Sequence, residues 1–278
     1  MSSKTELLLQ QRQWAELTGL EPDTRGYLES VGKNLLKTIG PQTRLAFEKG
    51  SGSELEDTPS RPAKMRALHS FSALAVNVFD SWVGSKTPAL KSVLGLDSDI
   101  VSISFEEQFP TGLGGIPPNL DVALELSSGH ITGIESKFSE WLAPKPKHKA
   151  PLKAKYFPGN TGLWQEKGLP ESQKLAAAMD QGAEHFQHLD VPQLLKHSLG
   201  MATQCGNRFS LFYIYYDCPG PESDLHNDEV SHFGSLVGEE LRFKAISYQN
   251  FFSALEQIEF ADKKYLDYLR ERYFNKLV

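Results

Sequence analysis

Apolar and polar residues alternate with the two-residue period of a strand in two neighbouring stretches, Asn119 to Leu126 and His130 to Phe138. Ser127, Ser128 and Gly129 between them read as a tight hairpin turn. Side chains on a strand alternate faces, so Glu135 and Lys137 point the same way with Ser136 behind them. If the strands pair, Asp121 can lie beside them. Two carboxylates and a lysine then converge on one spot.

Elsewhere the period is helical. Leu7, Leu8, Trp14 and Leu17 predict one short amphipathic segment, and Leu28, Val31, Leu35, Leu36 and Ile39 a second, closed by Gly40 and Pro41. Residues 49–63 are rich in Gly, Ser, Pro and acid and read as an exposed connection. From Ala63 a longer helix is expected, with Leu68, Phe71, Leu74, Ala75, Val78, Phe79 and Trp82 as its apolar stripe. Ser70, Asn77 and Ser81 lie on its other face.

A strand over Ile100 to Phe109 and a Gly/Pro loop over 110–118 precede the hairpin, and a Pro/Lys-rich segment, 142–170, follows it. Helices are predicted over Ser172 to Leu189 and from Asp190, a good N-cap with Pro192 in the first turn, to a stop at Gly206. Phe209 to Tyr216 is nearly all apolar or aromatic and fits a strand covered on both faces. A polar loop over 217–228, a helix, a strand around Arg242 to Ser247 and two closing helices complete the chain. This order implies an α/β sandwich around a mixed sheet. It divides the chain into a helical extension, 1–62, and a main body, 63–278, packed as one unit.

Composition changes this picture little. The 278 residues are 40% hydrophobic and 23% charged, ordinary globular values for a chain able to bury a sizeable core. The formal charge of −6 does not advertise a nucleic-acid partner, although a local basic surface is enough for one. Two cysteines, Cys205 and Cys218, make no disulfide framework. With no signal-peptide pattern and no apolar run of the ~18 residues a membrane helix needs, a cytoplasmic location is expected.

The element order, Asp121 and the Glu135-Ser136-Lys137 triplet together resemble the PD-(D/E)XK nuclease superfamily, the restriction-endonuclease-like fold. The helix with Ser70, Ser72 and Asn77, the run from Gln193 to His197 and the strand that follows are similar to a small group of bacterial restriction-endonuclease-like proteins. The resemblance spans roughly residues 63–275. One departure is visible: Asn119 and Leu120, not proline, precede the acid, the nearest prolines being Pro117 and Pro118. The resemblance implies an α-β-β-β-α-β core, a central mixed sheet flanked by helices, and phosphodiester cleavage leaving a 5′-phosphate.

The residues suit that chemistry. A magnesium ion takes hard oxygen ligands and keeps several waters, so one or two carboxylates suffice. Asp121 and Glu135 supply them, the Ser136 carbonyl is a plausible third ligand, and Mn2+ can replace Mg2+. Such an ion neutralises developing phosphate charge and acidifies water. Lys137, among carboxylates, stays charged and suits an electrostatic role rather than that of a base. Spacing alone favours an exposed hairpin with a cross-strand ion pair; the flanking helix and apolar strand shift the balance to a site.

Further residues join by position. Of Glu106 and Glu107 on the preceding strand, Glu107 is the preferred extra ligand, a solvated strand acid being the bland alternative. Gln193, Lys196, His197 and Gly200 share one helix face, and Gln193 and Lys196 could contact water or phosphate. Ser70 and Asn77 are expected to line the site from the first helix of the core. Lys145, Lys147, Lys149, Lys153 and Lys155 form a basic, proline-spaced loop that can track a phosphate backbone, with Tyr156, Phe157 and Trp164 available to stack on bases. Thr111 to Gly115 lacks the lysine of a phosphate-binding loop and reads as a turn. His185, His188, Asp224, His226, Asp228 and His232 fit no zinc spacing and are taken as surface residues. The expected function is metal-dependent hydrolysis of DNA. The alternative is a protein that keeps the fold and binds nucleic acid without cutting. Double-strand cutting would favour a homodimer with two sites.

Overall fold

The computed structural model describes residues 2–50, 52–85, 87–145, 151–159, 162–258 and 262–275. In chain order its helices are α1 (Ser3–Leu17), α2 (Pro41–Lys49), α3 (Phe71–Phe79), α4 (Pro88–Leu94), α5 (Leu163–Glu166), α6 (Pro170–Asp180), α7 (Val191–Cys205), α8 (Pro221–Leu241), α9 (Tyr248–Glu256) and α10 (Lys263–Leu269). The strands are β1 (Ile100–Gln108), β2 (Asn119–Leu126), β3 (Ile131–Lys137), β4 (Phe209–Tyr215) and β5 (Lys244–Ser247).

The five strands form one sheet in the order β1-β2-β3-β4-β5. β1, β2 and β3 run antiparallel, whereas β4 lies parallel to β3 and β5 parallel to β4. The antiparallel pairs need only short connections, Gly129 with φ 75° serving the β2–β3 hairpin. The parallel pairs need crossovers, supplied by α5 to α7 and by α8. This is an α/β restriction-endonuclease-like fold, a mixed sheet between two helical layers.

The two layers match two buried clusters. One face of the sheet gives Val122, Leu124, Ile134, Phe212 and Ile214 to a core shared with α3, α4, α9 and α10. The other gives Ala123, Leu211 and Tyr213 to a core shared with α6, α7 and α8. Phe209 to Ile214 are buried without a break, as a strand covered on both sides must be. Leu7, Leu35, Ile39 and Phe47 belong to the first cluster, so residues before 63 are part of the same core.

The chain's first and last segments lock together beneath that core. Arg272 is fully buried, and among the described residues no carboxylate lies within ion-pair distance of it. Its guanidinium donates to Asn34 C=O at 2.7 Å and to Asn34 Oδ1 at 2.5 Å, and stacks over Trp14 at 4.2 Å. The next residue, Tyr273, receives a 2.9 Å hydrogen bond from Asn77 and packs edge-on against Phe138 at 5.7 Å. Tyr216 closes on the other side of Phe138 at 5.1 Å.

Several expectations are corrected. The first core helix begins at Phe71, not Ala63, because the Ser70 side chain caps it by accepting from Ala73 N–H. Pro41 opens α2 rather than closing a helix: proline fits a first helical position, where its missing N–H has no partner to lose. The apolar run before it forms only a short 3-10 turn, Val31–Asn34. α6 stops at Asp180, well short of Leu189, with Gly182 at φ 73° just beyond.

Candidate active site

β2 and β3 pair through Val122 and Ile134, and beyond that pair their main-chain ladder ends. A side chain bridges the opening: Ser136 N–H donates to Asp121 Oδ2 at 2.6 Å. Ile131 N–H bonds to Arg208 C=O, and Tyr216 N–H to Lys137 C=O, so the odd residues of β3 face β4. Strand alternation then turns the Ser136 peptide groups toward the β2 side. The Ser136 side chain points into the α3-side core, where its Oγ lies 2.7 Å from Tyr248 Oη.

Glu135 and Lys137 reach the opposite face, under α7. Lys137 Nζ pairs with Glu135 Oε1 and donates to Gln193 Oε1 at 3.2 Å. The Phe71 ring at the start of α3 lies 5.8 Å from the same Nζ. His197, one turn beyond Gln193, brings Nε2 to 3.1 Å from Glu135 Oε2. That approach is off hydrogen-bond direction, and both atoms are buried with no hydrogen-bond partner. α7 is held in place by Asp190, whose carboxylate caps it through Gln193 N–H and also pairs with Lys145 at 2.6 Å.

Burial and charge set the ionisation. Burial raises the Asp121 carboxyl well above the usual carboxylate range, and the negative Glu135 and Glu106 add to it against Lys137. Burial pushes Glu135 the same way, but Lys137 and His197 outweigh it and bring the group down to about 2. For Lys137, burial favours the neutral amine, yet Glu135, Asp121 and Glu140 more than compensate and raise it. Its ammonium is therefore held charged.

The carboxylate that stands opposite Asp121 is Glu106, not Glu107. Glu106 falls between the pairs Phe105↔Val122 and Glu107↔Leu120, whereas Glu107 is exposed. Glu106 has φ 50°, a left-handed conformation uncommon for a non-glycine residue. Alternation breaks there: Val122 enters the α3-side core, but Leu120, two residues earlier, enters the α7-side core. Asn119 Nδ2 donates to Glu106 Oε2 at 2.6 Å. Burial, with Glu54 and Glu135 nearby, raises Glu106 to about 7 although Asn119 opposes the shift. Glu54, in the stretch expected to be exposed, is buried, accepts from Ser72 Oγ at 2.8 Å and pairs with Lys64 at 3.0 Å. Only a long-range contact reveals it; no local pattern does.

The remaining residues divide. Gln193 is at the site. Lys196 is half-buried on α7; burial lowers its ammonium, and Lys153, Lys155 and Lys145 add to this against Asp190. Ser70 is a helix cap, and Asn77 accepts from Leu36 N–H and donates to Asn34 and Tyr273, so both brace the fold rather than line the site. Lys153 and Lys155 are exposed near Lys196, while Lys147 and Lys149 lie outside the described residues. Tyr156 and Trp164 are buried, Trp164 donating to Leu195 C=O, and are not free to stack on bases. His188 and His226 are core residues, not surface ones: His226 stacks on Trp141 at 4.3 Å and meets Tyr213 Oη at 2.9 Å.

Among the described residues no three His, Cys, Asp or Glu side chains form a ready metal cage. The donors at the strand opening are nevertheless all oxygen, which suits magnesium rather than zinc. Glu135 Oε2 is a buried carboxylate oxygen with no hydrogen-bond partner, and Asp121 is crowded by like charges. These are the oxygens that could hold a cation.

A family model described as restriction endonuclease associating with ARP matches residues 12–274. No curated protein and no solved structure matches the chain. No helix among the described residues is long and apolar enough to cross a membrane.

Proposed function

The chain belongs to the family of restriction endonucleases associating with ARP, and from that premise we propose that it is a metal-dependent nuclease of the PD-(D/E)XK type acting on DNA. The observation that carries the proposal is the meeting of Asp121, Glu135 and Lys137 where β2 and β3 part.

Asp121 and Glu135 would hold the ion, Mg2+ or Mn2+, with the Ser136 carbonyl available beside them. When bound, it supplies positive charge against the phosphate and acidifies water. Lys137 donates hydrogen bonds as a fixed ammonium and can orient the attacking water or stabilise charge that grows on the phosphate. Gln193 holds that ammonium in place. His197 faces the far oxygen of Glu135 at ion-pair distance. Glu106 extends the acidic wall beside Asp121. Lys153, Lys155 and Lys196 give the protein, negative overall, a local positive surface near the site, suited to the DNA backbone. A protein that binds DNA without cutting is less well supported, because both acids and the lysine are in place.

The test is a cleavage assay on single- and double-stranded DNA. Mg2+ or Mn2+ should support cutting, EDTA should stop it, and Lys137→Ala should abolish it with the circular dichroism unchanged. Cutting that persists in EDTA or in Lys137→Ala would overturn the assignment.

A further inference from the structure

Residues 109–118 join β1 to β2 and form a rim beside the site. α7 clamps one foot of this loop. Gln204 Nε2 donates to Pro110 C=O at 2.8 Å, and a Cβ added at Gly200 would fall 2.2 Å from Phe109 C=O, so helix and loop backbones touch. The same helix carries Gln193 and His197 to Lys137 and Glu135. Lys155 Nζ donates to Gly114 C=O at 2.7 Å and ties the loop's middle to the basic segment.

The loop's shape is specified. Gly112, Gly114 and Gly115 have φ of 80°, 70° and 81°, which side-chain-bearing residues rarely adopt. Pro117 and Pro118 follow, each with φ restricted by its ring. Of the loop's two aliphatic residues, Leu113 packs into the α7-side core, whereas Ile116 is 75% exposed. A β-branched apolar side chain is thus presented to solvent immediately before two prolines. Four residues, or five backbone steps, separate it from Asp121, a reach of at most about 17 Å.

We infer that Ile116 is an apolar wedge that enters a base step of duplex DNA as the neighbouring phosphate approaches the opening between β2 and β3. Inserted aliphatic side chains unstack a step and bend the duplex toward more protein surface. Here that surface carries the exposed Lys153 and Lys155. The positive charge beside the loop, and the loop's covalent link to the Asp121 strand, favour DNA over a protein partner. This inference rests on the DNA reading above.

Duplexes carrying 2-aminopurine, bound by the full chain in EDTA so that nothing is cut, report unstacking directly. Wild-type protein should raise the fluorescence several-fold. Ile116→Ala should not, although it binds, and Ile116→Leu should retain the rise. In Mg2+, Ile116→Ala should cut intact duplex about tenfold more slowly, a 1.4 kcal/mol effect. It should cut a duplex with one unpaired base, already unstacked, at close to the wild-type rate. A fluorescence rise in Ile116→Ala equal to wild type, or an equal loss on both substrates, overturns the wedge. Binding and unstacking without cutting would sink the nuclease reading alone. Absence of DNA binding would sink both.

Discussion

Ser136 gives its backbone N–H to the Asp121 carboxylate at the point where β2 and β3 cease to pair. One side chain thereby replaces the next rung of the ladder at the edge of the gap. The bond needs only an acceptor oxygen; the proposed chemistry needs the charge.

Asp121→Asn separates the two. The amide oxygen can still accept from Ser136, and the repulsion from Glu135 and Glu106 disappears. The variant should fold as well as wild type or better in urea unfolding, and lose DNA cleavage by about 10³-fold or more. A folded Asp121→Asn protein with normal cleavage would remove Asp121 from the site.

Behind the motif, Ser136 Oγ and Tyr248 Oη form a buried 2.7 Å pair. Tyr248→Phe leaves one hydroxyl without a partner and should cost about 1–3 kcal/mol in chemical denaturation. Ser136→Ala alone should also destabilise. Combined with Tyr248→Phe it should cost clearly less than the sum, since neither polar group is then stranded. Strict additivity would mean the pair contributes nothing specific.

Glu106 gives a pH signature. Its carboxyl, normally near 4.5, is raised to about 7, so the folded state holds the proton more tightly than the unfolded chain. Stability from this group is therefore fully present below pH 4.5 and is lost as pH rises to about 7. Glu106→Gln cannot ionise and still offers Asn119 an oxygen. Metal-free Glu106→Gln should be more stable than wild type at pH 8 by on the order of 1–3 kcal/mol, and equal to it at pH 4. The same difference at both values would contradict the assignment.

Glycine to alanine inside a helix ordinarily gains about 1 kcal/mol. At Gly200 the sign should invert, because the new methyl meets Phe109 C=O rather than a movable side chain. Gly200→Ala should lose about 1–3 kcal/mol as α7 and the loop part. A gain in thermal or urea unfolding would show that the two backbones are less tightly packed than described.

Much of this was legible from local pattern. Glu135 and Lys137 share a face because alternation persists through β3; Asp190 and Gly206 end α7 through capping chemistry that acts within a few residues. Glu106 was not legible, because its φ of 50° breaks the alternation on which the choice between two adjacent acids depended. Glu54 hid for another reason: it is buried by Ser72 and Lys64, and a Gly/Ser/acid stretch looks solvated until its partners are known. Asn77 carried the right polarity on a plausible helix, but its partners, Asn34, Leu36 and Tyr273, come from both ends of the chain.

That last contact has a consequence for synthesis. Phe138, one residue beyond Lys137, is walled by Tyr216 and Tyr273, and Tyr273 is held by Asn77 beside the Arg272–Asn34 lock. A ribosome delivers Asp121, Glu135 and Lys137 long before it delivers Tyr273. While the chain is still being made, the strand bearing the lysine has no floor on that side. The order of synthesis alone thus delays the packing of that strand until Tyr273 has emerged.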